Sequence, residues 1–225
     1  MLKTIGFVGA AGTLIATASV SASPLQGLSI DSLGDMGYGE VYRLYADVDA
    51  GTRIDAVFGN SAGEMSIGTA DGLSFYQNAL GGPTSTSINS AFFPLAASLE
   101  WDSYVTIGAL YSDGSPFAEN KLLDIGIDFS GFESGGSIVS SNGSWFVTPV
   151  DPQGGELGGR VLLGQFTVIG GTGDGYADLV GQISIQGKDA DGNTYQEIGA
   201  TWAVPAPGAL ALLGMAGLAG RRRRR

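Results

Sequence analysis

Between Ser23 and Ala203 no stretch sustains an apolar period of 3.6 residues over three turns, whereas short runs repeatedly alternate with a period of two. Alternation puts successive side chains on opposite faces of an extended chain, so it commits the segment to β structure with one face buried. Residues 53–59 are the clearest case, with Ile54, Ala56 and Phe58 on one face and Arg53, Asp55 and Val57 on the other. Residues 123–129 repeat the pattern, which predicts Ile125, Ile127 and Phe129 inward and Asp124, Gly126 and Asp128 outward. Further strands are predicted over 41–48, 65–67, 105–110, 145–148, 161–169, 179–186 and 195–204, with a short helix over 89–99. Clusters of Gly, Ser, Asn and Asp separate these runs at fairly regular spacing. The expected fold class is therefore all-β, a single β-sandwich of jelly-roll or Ig-like type. No repeat of roughly 20 to 50 residues and no linker interrupts 23–203, so one domain is expected there.

The two ends are of another kind. Met1-Leu2-Lys3 supplies a positive start, and residues 5–18 form an uncharged run of apolar and small side chains. Val20-Ser21-Ala22 fits the small-x-small cleavage pattern of a secretory signal, with Val20 and Ala22 as its small residues and Ala22 the last residue removed. The alternative is an uncleaved N-terminal anchor; the short apolar run favours cleavage. At the other end Val204, Pro205, Ala206 and Pro207 precede a purely apolar run over 208–220. The sequence then finishes on Arg221, Arg222, Arg223, Arg224 and Arg225. Cations after an apolar segment stop and orient it in a membrane, because translocating them is costly, so residues before Val204 are expected outside. The thirteen residues 208–220 span only about 20 Å as a helix, against a hydrocarbon core of about 30 Å. Such a segment suits a temporary anchor.

Together the ends resemble the PEP-CTERM class of exported bacterial proteins. In that class a secretory signal opens the chain, and a Pro-Glu-Pro-like motif, a membrane stretch and a basic cluster close it. Val204 to Pro207, residues 208–220 and the five arginines match those three parts, with Ala206 where the class usually has Glu. The resemblance implies processing near the motif by an exosortase, a membrane-embedded cysteine protease. It also implies transit through the inner membrane and delivery to the cell surface or the extracellular polymer layer. It covers about a tenth of the chain and implies nothing about the domain carried between the signals.

Charge and absences narrow what that domain can do. Of the eleven basic residues, five remain in 23–203 against all twenty-two acids, a net charge of −17. Such a surface repels phosphate backbones, so nucleic acid is a poor partner. The chain contains no histidine and no cysteine, which removes Ser-His-Asp and Cys-His catalysis, ordinary zinc sites, haem and iron–sulfur ligation and disulfides. Only carboxylate chemistry or an unusual Ser-Lys arrangement is left for an enzyme, and no phosphate-binding loop is present.

Few residues single themselves out as a site. Asp189, Asp191 and Asn193 place oxygens at the first, third and fifth positions of a calcium-loop pattern. Thr194 and Ala200, however, stand where the EF-hand needs Gly and a bidentate Glu. The plainer reading is a hairpin loop around Asp191-Gly192, and Ca²⁺ is the one cofactor left open. Residues 171–178, with Asp174 and Asp178, form a second Gly/Asp loop of the same kind. Glu100 with Asp102, and Asp47 with Asp49, have the spacing that would put two carboxylates on one strand face, as a glycosidase requires; a solvated acidic face explains them more simply. Trp101, Trp145 and Trp202 invite a sugar-stacking reading, against which stands the usual place of large aromatics in the core. The function expected first is non-enzymatic, a structural or adhesive component of the cell surface or extracellular matrix. A polysaccharide-binding module, calcium-assisted or not, is the second reading, and a carboxylate glycan hydrolase the third.

Overall fold

A computed structural model describes residues 23–202 of the protein. The expected cleavage residues Val20 and Ala22, the motif Val204, Pro205, Ala206 and Pro207, and the five terminal arginines lie outside the described residues. In chain order β1 is Leu25–Asp35, β2 Glu40–Val48, β3 Arg53–Gly59, β4 Met65–Thr69, β5 Ser74–Phe75 and β6 Tyr104–Val105. They are followed by β7 Leu123–Ile125, β8 Ile138–Ser140, β9 Gly143–Phe146, β10 Arg160–Ile169, β11 Leu179–Lys188 and β12 Thr194–Thr201. Two antiparallel sheets result. The first runs β1-β2-β10-β5, with β6 also on β10; the second runs β7-β9-β3-β11-β4-β8, with β12 on β11.

The sheets face each other across one core. Leu44, Ala46, Leu163, Phe166 and Val168 from the first meet Ile54, Val57, Ile67, Trp145, Ile183 and Ile185 from the second, all of them buried. Each of the larger of these side chains contributes roughly 1.5–3 kcal/mol by leaving water, which is how a chain without disulfides holds two sheets together. The alternation read from the sequence fails within β3. Val57 is fully buried while Ala56 and Phe58 are only half-buried, because the β3–β11 pairing slips between Gln186 and Gly187. A slip of one residue sends every later side chain to the other face. Ile54 and Asp55, on either side of the slip, are consequently both buried, Asp55 with the Arg53 guanidinium at 2.6 Å.

Residues 123–129 are not one strand. β7 ends at Ile125, which is 66% exposed against expectation; Gly126 turns the chain at φ +71°, and beyond it Ile127 packs against the core and Phe129 enters it as the alternation predicts, joined by Phe132. The predicted strand over 105–110 shortens to Tyr104–Val105, and Gly108 beyond it takes φ +73°. The predicted helix over 89–99 becomes two 3-10 turns, Ser90–Phe92 and Ala97–Trp101. Pro94 lies between them, without the N–H that a continuous helix needs.

This irregular segment, residues 76–122, matters because it covers part of the outer face of the first sheet. Its folding is local: Asn78, Asn89 and Asp113 side chains accept from the backbone N–H two residues on, at 3.0, 3.0 and 2.9 Å. Ile88, Leu99 and Tyr104 form a small second core beneath it, with Phe93 and Tyr111 packed alongside. Where the cover ends, the outer-facing side chains of β2 and β10 are left accessible.

Candidate functional site

The Asp189 loop is a hairpin connection between β11 and β12. The Asp189 carboxylate accepts from the N–H groups of Asp191 and Asn193 at 3.0 and 2.8 Å and from the Asn193 side-chain amide at 3.0 Å. Gly192, at φ +84°, completes the turn by donating to the Asp189 carbonyl. These bonds, led by the Asn193 side chain, hold the Asp189 carboxyl below the usual range. Among the described residues no three acids come close enough together to hold a metal. Asp189→Ala is expected to lower the thermal midpoint by a few degrees at most, equally in calcium and in chelator. A calcium-dependent midpoint that the substitution abolishes would restore the metal reading. In the second loop, Asp178 is buried and accepts from the Tyr42 hydroxyl and from Thr172 N and Oγ1, the latter two at 2.6 and 2.9 Å. Burial alone would raise its carboxyl, but these hydrogen bonds together outweigh burial and lower it.

Neither acidic pair encloses a reaction site. Asp47, half-buried, accepts from Ser29 Oγ at 3.0 Å, and Asp49, on open surface, accepts from Gln26 Nε2 at 2.9 Å. Glu100 and Asp102 lie on a 3-10 turn and its cap, so the strand-face spacing does not apply to them. Asp102 is fully buried. It accepts from Asn78 N at 2.7 Å, Ser103 N at 2.9 Å and Gly82 N at 3.3 Å. Burial pushes its carboxyl up to about 7, the three amides pulling it only part of the way back. A polar hollow of about 330 Å³ lies nearby, lined by Gln77, Asn78, Gly81, Gly82 and Glu133. Gly81 stands over the carboxylate so closely that a Cβ there would come within 1.8 Å of Asp102 Oδ2. The carboxylate thus has no exposed surface and is held by backbone on the side of Gly81 and Gly82. Trp145 and Trp202 are core residues, donating from Nε1 to the carbonyls of Thr106 and Leu179 at 3.0 and 3.1 Å, and Trp101 is half-buried.

The arrangement with the chemistry of a site is a cleft of about 230 Å³ on the outer face of the first sheet. Its floor is Arg43 and Tyr45 of β2 with Arg160 and Leu162 of β10, and Leu110, Pro116, Phe117 and Leu157 wall it. The strand register explains the floor: Leu162 lies opposite Tyr45, and Gln165 opposite Arg43. Arg160 stacks its guanidinium over the Tyr45 ring at 4.1 Å and pairs with Asp31 at 2.8 Å. Arg43 donates from Nε to Gln165 Oε1 at 3.2 Å. Gln165 is itself held, its Nε2 donating to the carbonyls of Glu100 and Asp102 at 2.8 and 3.2 Å. The Tyr111 hydroxyl sits beside Arg43; burial and then the Glu100 charge raise it, and Arg43 opposes them. Two of the five cations between Ser23 and Ala203 thus meet in one hollow of a strongly acidic protein.

Sequence reasoning did not find this cleft. The sequence singles out acids and tryptophans, whereas the site uses arginines, a tyrosine and a phenylalanine: the pairing of β2 with β10 brings Arg43, Tyr45 and Arg160 together, and the path of residues 108–117 adds Phe117. The nearest available signal was that Arg43, Tyr45 and Asp47 occupy alternate positions of a well-marked strand. Compared with protein-family models, with curated proteins and with solved structures, the chain matches none.

Proposed function

We propose that the protein is exported and that its β-sandwich is displayed at the cell surface or in the extracellular matrix, as a non-catalytic structural and adhesive component. The Lys3-led signal ending at Ala22 and the Val204-to-Arg225 tail support export, transit through the inner membrane and trimming by an exosortase-type protease. The observation that carries the adhesive part is the Arg43–Tyr45–Phe117–Arg160 cleft, an outward-facing hollow of aromatic, apolar and cationic groups suited to an extracellular polysaccharide. Of the two sandwich types expected, strand order supports the Ig-like one. Consecutive strands β2-β3 step from one sheet to the other and pair with β10-β11, which step likewise, as strands B-C and E-F do in that fold.

Fractionating the native host tests the proposal. The chain is expected in the envelope fraction, bound to extracellular polymer, with an intact mass lacking the residues up to Ala22 and beyond about Val204. Recovery of a chain that still ends in Arg225, or of one that never associates with polymer, would overturn it.

A further inference from the structure

We infer that the cleft takes a saccharide carrying a carboxylate, a uronate, and that Arg43 is its anchor. The inference rests on the adhesive reading of the cleft and names the ligand class of that same site. With twenty-two acids against five cations between Ser23 and Ala203, an arginine there meets a carboxylate almost by default. Arg53 takes Asp55 at 2.6 Å and Arg160 takes Asp31 at 2.8 Å. Arg43 is the exception: no carboxylate lies within 4.0 Å of it among the described residues, although Asp31 is its partner across β1 and β2. Its Nε is tied instead to the neutral amide of Gln165, which the backbone of residues 100–102 holds in turn, and its other close polar neighbour is the Tyr111 hydroxyl, also neutral.

That arrangement fixes the guanidinium without neutralising it. A planar fork held in place, with one nitrogen engaged by a neutral group, matches the two oxygens of a carboxylate. Burying an unpaired cation part of the way is unfavourable, and an incoming anion relieves the cost. Leu110, Pro116 and Phe117 supply an apolar wall for the C–H face of a sugar ring, and the hollow of about 230 Å³ suits one sugar unit rather than a length of chain. At the other end Asp31 satisfies Arg160, so the site recognises one negative charge and not two. The surrounding charge of −17 repels polyanions at long range, so selection comes from contact within the cleft and not from steering.

Calorimetric titration of the full chain, in a detergent without a sugar headgroup, tests this with three probes. They are a galacturonate trisaccharide, its methyl ester, and a neutral hexose trisaccharide. The free acid is expected to bind at least about tenfold more tightly than its ester, the discrimination typical of one charge-assisted fork. Arg43→Gln should erase the preference while leaving the thermal midpoint in place, and Arg43→Lys should keep part of it. Equal affinity for acid and ester overturns the inference and leaves the adhesive reading standing. Binding of none of the three, in a chain that also fails to associate with polymer in the host, overturns both.

Discussion

Trp145→Ala is expected to remove about 3–5 kcal/mol of stability, a large part of the roughly 5–15 kcal/mol that a domain possesses. Trp145 is 0% exposed and lies in β9, opposite Val57 of β3 and Asp124 of β7, so its ring fills the space between the sheets at the point where three strands meet. Truncation leaves a cavity that the surrounding strands cannot close without breaking their pairing. It also strands the buried carbonyl of Thr106, which now accepts from Trp145 Nε1 at 3.0 Å. Trp145→Phe keeps most of the volume and loses the donor, so about 1–3 kcal/mol is expected. Urea unfolding followed through the fluorescence of the remaining tryptophans measures both. A loss under about 1 kcal/mol for the alanine variant would mean that the ring is not a core element, and the sugar-stacking reading of Trp145 would return.

The reach of the sequence differs from one part of this fold to the next for identifiable reasons. β2, β10 and β11 were legible because their alternating or continuous apolar runs are long and end at Gly or Asp. β1 was not: Leu25–Asp35 is an edge strand with polar residues on both faces, most of them half-buried or exposed, so no period marks it. The parity of β3 failed at a bulge, which depends on the partner strand and leaves no trace in the seven residues concerned. Over 124–129 only Ile125 departs from the alternation: it points to solvent where β7 ends and Gly126 turns the chain at positive φ, while Ile127 and Phe129 still face the core. Residues 76–122 carry no period because Asx turns and short 3-10 turns hold them, and these are set by single side chains. The cleft inherits both difficulties. Its floor needs the register of β2 against β10, and its walls need the path of an aperiodic segment.

That same segment gives the protein its second large expected effect, a loss of stability as pH rises. The Asp102 carboxyl is pushed up to about 7 by burial, while in the unfolded chain it titrates near 4. Between those values the folded state holds a proton that the unfolded state has released, so folding weakens with each step of pH from about 4 to about 7 and levels off above. The contribution is complete below pH 4. Asp113 and Asp178 act in the opposite sense: their carboxyls lie below the usual range, so the stability they supply is present above about pH 4 and disappears as pH falls through their folded values. The two effects together place the maximum on the acid side of neutrality. The size of the Asp102 contribution is a few kcal/mol at most, about 1.4 kcal/mol for each unit separating the two states. Unfolding midpoints in urea between pH 4.5 and 7.5 would measure it, with Asp102→Asn as the control. The amide still offers one oxygen to Asn78 and Ser103 N–H, and its NH₂ replaces only the longest contact, that from Gly82 at 3.3 Å. The variant should therefore fold, and should lose most of the slope while keeping the shallower one that self-repulsion of a −17 surface imposes. Equal slopes in the two proteins would mean that Asp102 folds already ionised on its three amides. Gln165 rests on the main-chain carbonyls of residues 100 and 102 and not on the Asp102 carboxylate, so the substitution should leave Arg43 oriented and uronate affinity unchanged.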